Sequence, residues 1–252
     1  MLTTAMTLGE AFHNTASLHP DREALVCGVD RLTYGQLAAR AEAVAGGLYR
    51  LGIRKGDRVA SLLPPAGHSV VLFLALVRLG AVAVPLNPGL RHRQLSHILK
   101  EVEPAALVVA ADGATAETLV TIRSLAQELP SACCLVVADS ADTGDPSFGQ
   151  LLASEPLPAS AAEPLTPDDL AVILYTSGTT GWPKGVMHSH RSLIGPVVAS
   201  MRLRRMWLHK PSPAQLARMA GLLTRYGTRL LQAAGRPQVF LAALGSHAIG
   251  GI

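Results

Sequence analysis

The chain has 252 residues, 49% of them hydrophobic, 16% charged and 4% aromatic, with a formal net charge of +4. This composition excludes a disordered chain, the length suits one large domain or two small ones, and so few aromatics leave the core to Ala, Val and Leu. The charge is uneven, because residues 201–252 hold seven arginines, one lysine and no acid, while residues 1–200 are net acidic.

Thr7-Leu-Gly-Glu10 has capping-box spacing and predicts a helix to about Leu18. Glu23-Ala-Leu-Val-Cys27 reads as a strand with a hairpin partner near Arg31-Leu-Thr33. Thr33-Tyr-Gly-Gln36 is a second capping box, followed by Leu37, Ala41, Val44, Leu48 and Leu51 at helical spacing, with Gly52 as the stop. Arg58-Val-Ala-Ser-Leu-Leu63 is the next strand, broken by Pro64-Pro65. A helix then runs to Leu79, Gly80 closes it, and Ala81 to Leu86 forms a strand whose Pro85 marks a strand end or a sheet edge. Leu95, Ile98, Leu99 and Val102 mark a helix, and Ala105–Ala110 and Cys133–Ala138 read as buried strands. Leu119, Ile122, Ala126 and Leu129 predict a helix between those two strands. Strands alternating with helices predict an α/β fold, a layered and largely parallel sheet flanked by helices.

Residues 139–169 interleave aspartates with prolines and read as an acidic surface connection. Their carboxylates follow no metal-ligand spacing. The cysteines Cys27, Cys133 and Cys134 cannot build a disulfide framework and read as buried strand thiols. The opening Met1-Leu-Thr-Thr-Ala-Met6 lacks the basic segment of a signal peptide. The longest apolar run, Val70 to Val77, is too short to span a bilayer. A reduced, soluble, cytoplasmic protein is the expectation.

The chemistry concentrates in Tyr175-Thr-Ser-Gly-Thr-Thr-Gly-Trp-Pro-Lys-Gly185, which follows the apolar run Leu170–Leu174 and reads as a loop leaving the end of a buried strand. Glycines let backbone N–H groups approach a ligand closely, and successive N–H groups in a turn form an anion-binding concavity. Thr176, Ser177, Thr179 and Thr180 add hydroxyls, and Lys184 adds a positive charge behind the stiff Pro183. The pattern suits phosphate, yet it is neither a Walker A loop nor a Gly-x-Gly-x-x-Gly fingerprint.

The stretch from Ile173 to Lys184 resembles the AMP-binding signature of the adenylate-forming ligases, the superfamily of acyl-CoA synthetases, aryl-CoA ligases, luciferases and peptide-synthetase adenylation domains. Every constrained position is filled, and Trp182 occupies the freely variable slot. Leu32-Thr-Tyr-Gly-Gln-Leu37, Lys55-Gly-Asp-Arg-Val-Ala60 and Leu79–Pro88 resemble the family's upstream blocks, in order. His188-Ser189-His190 is more similar to acyl-CoA ligases than to peptide-synthetase domains. The resemblance implies a partial N-terminal domain of the adenylate-forming fold over residues 1–200.

It also implies a reaction. A carboxylic acid attacks the α-phosphorus of ATP, and the acyl group then passes from AMP to a thiol, usually coenzyme A, with Mg2+ as the metal. Thr176, Ser177, Gly178, Thr179, Thr180, Gly181 and Lys184 would cradle the phosphates, with Lys184 stabilising charge and not acting as a nucleophile. No metal ligand is assigned.

Residues 201–252 are expected to be a basic helical tail outside this resemblance. The family's aromatic-x-x-Thr-Glu motif, ribose aspartate, hinge and C-terminal lysine are missing, and Tyr226-Gly-Thr-Arg229 puts an arginine where an acid is needed. Ser212-Pro213 is a plausible helix start, with Arg218, Arg225, Arg229 and Arg236 on one face. A truncated or frame-shifted gene is the favoured origin and a solvated helix the favoured structure. A basic amphipathic helix for a partner or membrane surface is the alternative. Nucleic-acid binding is disfavoured, since neither a motif nor a stacking-aromatic pattern supports it. His188 and His190, two apart, lack further ligands for zinc, His190 is placed in the turn to the next helix, and Gly195-Pro196 is expected to disturb that helix early.

Overall fold

A computed structural model describes residues 2–209 apart from 29, 65, 111–115, 128, 130–133, 139–144 and 178–181. Helix α1 (Leu8–Leu18) opens on the predicted box, with Glu10 N–H donating to Thr7 Oγ1 at 3.2 Å and Thr7 N–H donating to Glu10 Oε2 at 2.7 Å. Strands β1 (Glu23–Cys27) and β2 (Asp30–Thr33) form the antiparallel hairpin. Thr33 and Gln36 cap α2 (Tyr34–Arg50) in the same reciprocal way.

The main sheet follows. It consists of β3 (Arg58–Leu62), β4 (Val82–Pro85), β5 (Ala106–Ala110), β6 (Cys134–Ala138), β7 (Leu170–Ser177) and β8 (Pro183–Ser189), in the spatial order β6-β5-β3-β4-β7-β8. All neighbours are parallel except β7 and β8. Helices α3 (Gly67–Leu79), α4 (His92–Val102) and α5 (Ala116–Gln127) make the crossovers between β3 and β6. Gly80 ends α3 at φ +81°, a left-handed conformation that glycine adopts without Cβ strain.

Alternate residues of each strand feed two cores, because successive side chains point to opposite faces. Val59, Val108, Val136 and Val172 meet Val44 and Leu48 of α2 and Leu72 and Leu76 of α3. Ala60, Val84, Leu107 and Val137 meet Leu95, Ile98 and Leu99 of α4. The result is a helix–sheet–helix sandwich.

Two expectations need correction, and for Pro85 the strand end holds and the sheet edge does not. Residues 145–169 are more than a surface connection: Ser147 and Gln150 form a capping box that starts α6 (Phe148–Leu152). Phe148 is 0% exposed, and Leu151 and Leu157 are also buried. They enter beside α2 at Gly46 and Gly47, where an added Cβ would strike the Glu155–Pro156 backbone and Leu151. Pro85 ends β4, but β4 is interior, between β3 and β7. Gly195-Pro196 does not stop the last helix, α7 (His190–His209), which runs through it. Pro196 and Ser192 are both exposed, and Pro196 has no N–H to donate to the Ser192 carbonyl.

Cys27 is half-buried, Cys134 lies in β6 and Cys133 falls outside the described residues. The predicted helix from Ser212, with its arginine face, also falls outside them. Among the described residues no helix is long and apolar enough to cross a membrane.

Candidate functional site

The chemistry-bearing stretch belongs to the β7–β8 hairpin. Thr176 and Ser177 end β7, Lys184 is the second residue of β8, and Gly178, Thr179, Thr180 and Gly181 lie outside the described residues. The strand is therefore longer than the apolar run Leu170–Leu174 suggested, reaching into the signature itself.

Register brings the two ends of the cradle together. Thr176 pairs with Lys184 and Ser177 with Pro183. Directly opposed residues of an antiparallel pair share a sheet face, with Cβ atoms about 4.5–5.5 Å apart. The Thr176 and Lys184 side chains thus start side by side. Thr176 is half-buried and Lys184 exposed. Ion pairs among the described residues engage Arg31, Lys55, Arg78, His97, Arg123 and Arg191, and leave Lys184 without an acid. Among the described residues its charge is uncompensated.

The position in the sheet suits a ligand. β7 runs parallel to β4, so the Ser177 end points the same way as the carboxyl ends of β3 to β6. Ligands of open α/β sheets sit outside the carboxyl ends, where the strand order reverses. Here β4 and β5 flank β3 on opposite sides, so the reversal lies between β3 and β4, and β7 is β4's other neighbour. The N-terminus of α4, with exposed Arg91 and Arg93, follows β4 at that same edge.

Tyr175 turns to the other face, toward α4. Burial, with the adjacent Glu101 charge and its hydrogen bond, pushes the Tyr175 phenol up to about 12. The ring passes over Gly185, where an added Cβ would lie 3.1 Å from Tyr175 Cζ and 3.1 Å from Ile173 Cγ2. Trp182, beyond the start of β8, has its ring centroid 4.9 Å from that of His97.

The two flanking histidines part ways. His188 Nδ1 lies 3.4 Å from Ser192 Oγ. His190 begins α7 and is 1% exposed, and its Nδ1 accepts the Leu8 N–H of α1 at 3.2 Å. Burial holds this imidazole below its usual range, while Asp169 and Glu10 pull it up and Lys55 pushes it down. His190 is thus a helix residue joining α1 to α7, not part of the preceding turn. Sequence reasoning missed it because its partner lies at the far end of the chain. Among the described residues no group of three or more His, Cys, Asp or Glu could hold a metal ion.

Among the described residues the donor set is an exposed lysine without an acidic partner opposite a threonine, at the carboxyl edge of the sheet, an arrangement suited to an anion such as a phosphate. Those residues supply no carboxylate for Mg2+, so no described residue is assigned to the metal.

A family model described as AMP-binding enzyme matches residues 12–227, a span that runs past residue 200. Triostin synthetase I of Streptomyces triostinicus is 35% identical over 183 residues, covering 73% of this chain and 33% of that protein. A crotonobetaine/carnitine–CoA ligase of Escherichia coli O1:K1 / APEC is 34% identical over 191 residues, covering 74% of this chain and 37% of that protein. The crystal structure of the anthranilate CoA ligase AuaEII with anthranoyl-AMP superimposes with a TM-score of 0.67 at 28% identity, covering 75% of this chain and 36% of that one. The chain thus spans about a third of the length of the curated relatives it matches.

Proposed function

The chain belongs to the AMP-binding enzyme family, and from that premise we propose that it carries the phosphate-gripping part of an acid-activating, AMP-forming ligase. In the reaction a carboxylate oxygen bonds to the α-phosphorus of ATP. The bond from that phosphorus to the bridging oxygen breaks, and pyrophosphate leaves with the electron pair. A thiol then attacks the acyl carbon, forming a thioester and releasing AMP. The similarity of His188-Ser189-His190 to acyl-CoA ligases favours coenzyme A as that thiol. The match to triostin synthetase I at 35% identity keeps a carrier-bound thiol as the competing acceptor.

The proposed roles are electrostatic. Lys184 neutralises phosphate charge, and Thr176, Ser177, Thr179 and Thr180 donate hydrogen bonds. Gly178 and Gly181 let backbone N–H groups close on the oxygens. Donors preorganised where charge develops lower the barrier without reorganising during the step. None of these residues acts as nucleophile or base. When bound, Mg2+ would share the phosphate charge with them. The observation that carries the reading is the pairing of Thr176 with Lys184 across β7 and β8.

We further propose that this chain alone does not turn over. It has the phosphate loop without the family's motifs for magnesium, ribose and the thioester step. Purified protein, ATP and a panel of acids are expected to give no acid-dependent AMP. Robust AMP formation overturns that part. The second reading, a non-catalytic remnant that still binds nucleotide, is separated by titrating ATP against wild type and Lys184→Ala. Binding lost in the variant supports a working phosphate site, and binding absent from both removes the site altogether.

A further inference from the structure

The two stems of the phosphate loop are held by one helix. Tyr175, on the outgoing strand β7, packs against the core cluster that contains Leu95, Ile98, Leu99 and Val102 of α4, with the Glu101 charge nearby. Trp182, on the return, stacks at a tilt of 56° against His97 of α4. His97 and Glu101 are one helical turn apart, with His97 Nε2 3.8 Å from Glu101 Oε2. Residues four apart lie on the same helix face, so one stripe of α4 contacts both ends of the connection. Gly185 leaves room for this path, because an added Cβ there would press on the Tyr175 ring at 3.1 Å and require it to give by a few tenths of an ångström.

We propose that α4 clamps the loop, with Trp182 and Tyr175 as positioning residues that keep Lys184 in register with Thr176. The role rests on reading the loop as a phosphate site. None of the four clamp residues touches the phosphate in this scheme. They act through the hairpin by fixing where its cation sits. Lys184 is two residues beyond the Trp182 anchor and lies opposite Thr176, the neighbour of the Tyr175 anchor. An anchor on one stem alone would leave the hairpin free to twist about its axis, whereas two anchors on a rigid helix remove that freedom. Order imposed before binding reduces the entropy lost when a ligand is gripped. Half-exposed contacts of this kind add little to global stability. Their effect should be local.

The test has two arms. In the first, amide hydrogen exchange is measured without nucleotide on wild type, Trp182→Ala, Trp182→Phe, Tyr175→Phe and Glu101→Gln. Faster exchange across residues 176–184 in the Ala variant, restored by Phe and unaccompanied by change in β5, is expected. Equal exchange in all variants overturns the clamp. In the second arm ATP is titrated against the same proteins. Affinity about tenfold weaker in Trp182→Ala, largely recovered in Trp182→Phe, is expected from lost preorganisation. Unchanged affinity alongside faster exchange overturns the positioning role. If wild type does not bind ATP, the phosphate-site reading fails, and the exchange arm alone decides whether α4 clamps the hairpin.

Discussion

Strands β5 and β8 belong to one sheet and obey opposite rules. Ala106, Leu107, Val108 and Val109 of β5 are at most 1% exposed. In β8, Val186 is 43% exposed and Met187 71%, and Lys184 and Gly185 are also open. β5 lies between two strands with a core on either face; β8 lies at the sheet's end. A strand buried on both faces is specified by apolar side chains alone. An edge strand keeps its place through backbone pairing with a single neighbour, which frees its side chains for chemistry. The same sheet thus supplies rigidity at one strand and a reactive charge at another.

The sharpest way to break that contrast is to remove a large core side chain from a segment that looks peripheral. Phe148→Ala should destabilise the protein by about 3–5 kcal/mol in urea unfolding. The ring is fully buried against the sheet-side core and lies 4.8 Å, centroid to centroid, from His68. A loss under about 1 kcal/mol, the range of ordinary surface substitutions, would return residues 145–169 to the surface.

Lys184→Ala tests the other side. ATP binding should weaken by about 1.5–3 kcal/mol, the worth of a hydrogen bond to a charged group. Unfolding stability should not change, since the ammonium is exposed. Equal losses in both measurements would mean that the lysine supports the hairpin and does not serve a ligand.

These two positions also show what the sequence could reveal. Strands β3 to β6 and the boxes at Thr7 and Thr33 are written locally, in apolar runs and i, i+3 pairs, and they stand where periodicity put them. Ser147-x-x-Gln150 carries the same local signal, but five prolines nearby drew the segment toward a loop. β8 was missed because Pro183, Lys184 and Gly185 are poor strand formers; pairing with β7 makes it a strand. The Thr176–Lys184 pairing could be stated only once that register was visible. The packing of Tyr175 against the cluster that holds α4 and the contact of His190 with Leu8 are long-range and leave no local trace.

The His190 contact gives an intermediate effect, dependent on pH. Its Nδ1 accepts from Leu8 N–H, which requires the unprotonated nitrogen. Burial lowers the folded pKa from the usual 6.5. Above 6.5 both folded and unfolded chains are neutral there and the full stability is present. As pH falls below 6.5 the unfolded chain takes up a proton that the folded chain resists, and stability declines until the folded pKa is passed. Asp168 and Asp169 are also held low, by the hydrogen bond from Arg191 and by that from the Thr166 backbone respectively, so their losses come at more acid pH. His190→Asn should flatten the stability profile just below 6.5 while costing about 1–3 kcal/mol at neutral pH, as expected when a buried hydrogen-bonding site is disturbed. An unchanged slope would assign the acid sensitivity to other groups.

The smallest effect is the one that sharpens the comparison most. Met187 belongs to β8 and, by its pairing with Ile173, to the α4 face of the sheet. A methionine in β5's surroundings could not become serine without a cavity and a buried hydroxyl, each worth kilocalories. At 71% exposure Met187 removes little apolar surface from water. Met187→Ser should therefore shift unfolding stability by no more than about 0.5 kcal/mol, and backbone pairing with β7 should persist in amide exchange. A loss above about 2 kcal/mol would show that Met187 is covered in solution, and that β8 is packed on its α4 face as β5 is. Lys184 projects from the opposite face, by its pairing with Thr176, so the contrast with β5 would then rest on that face alone.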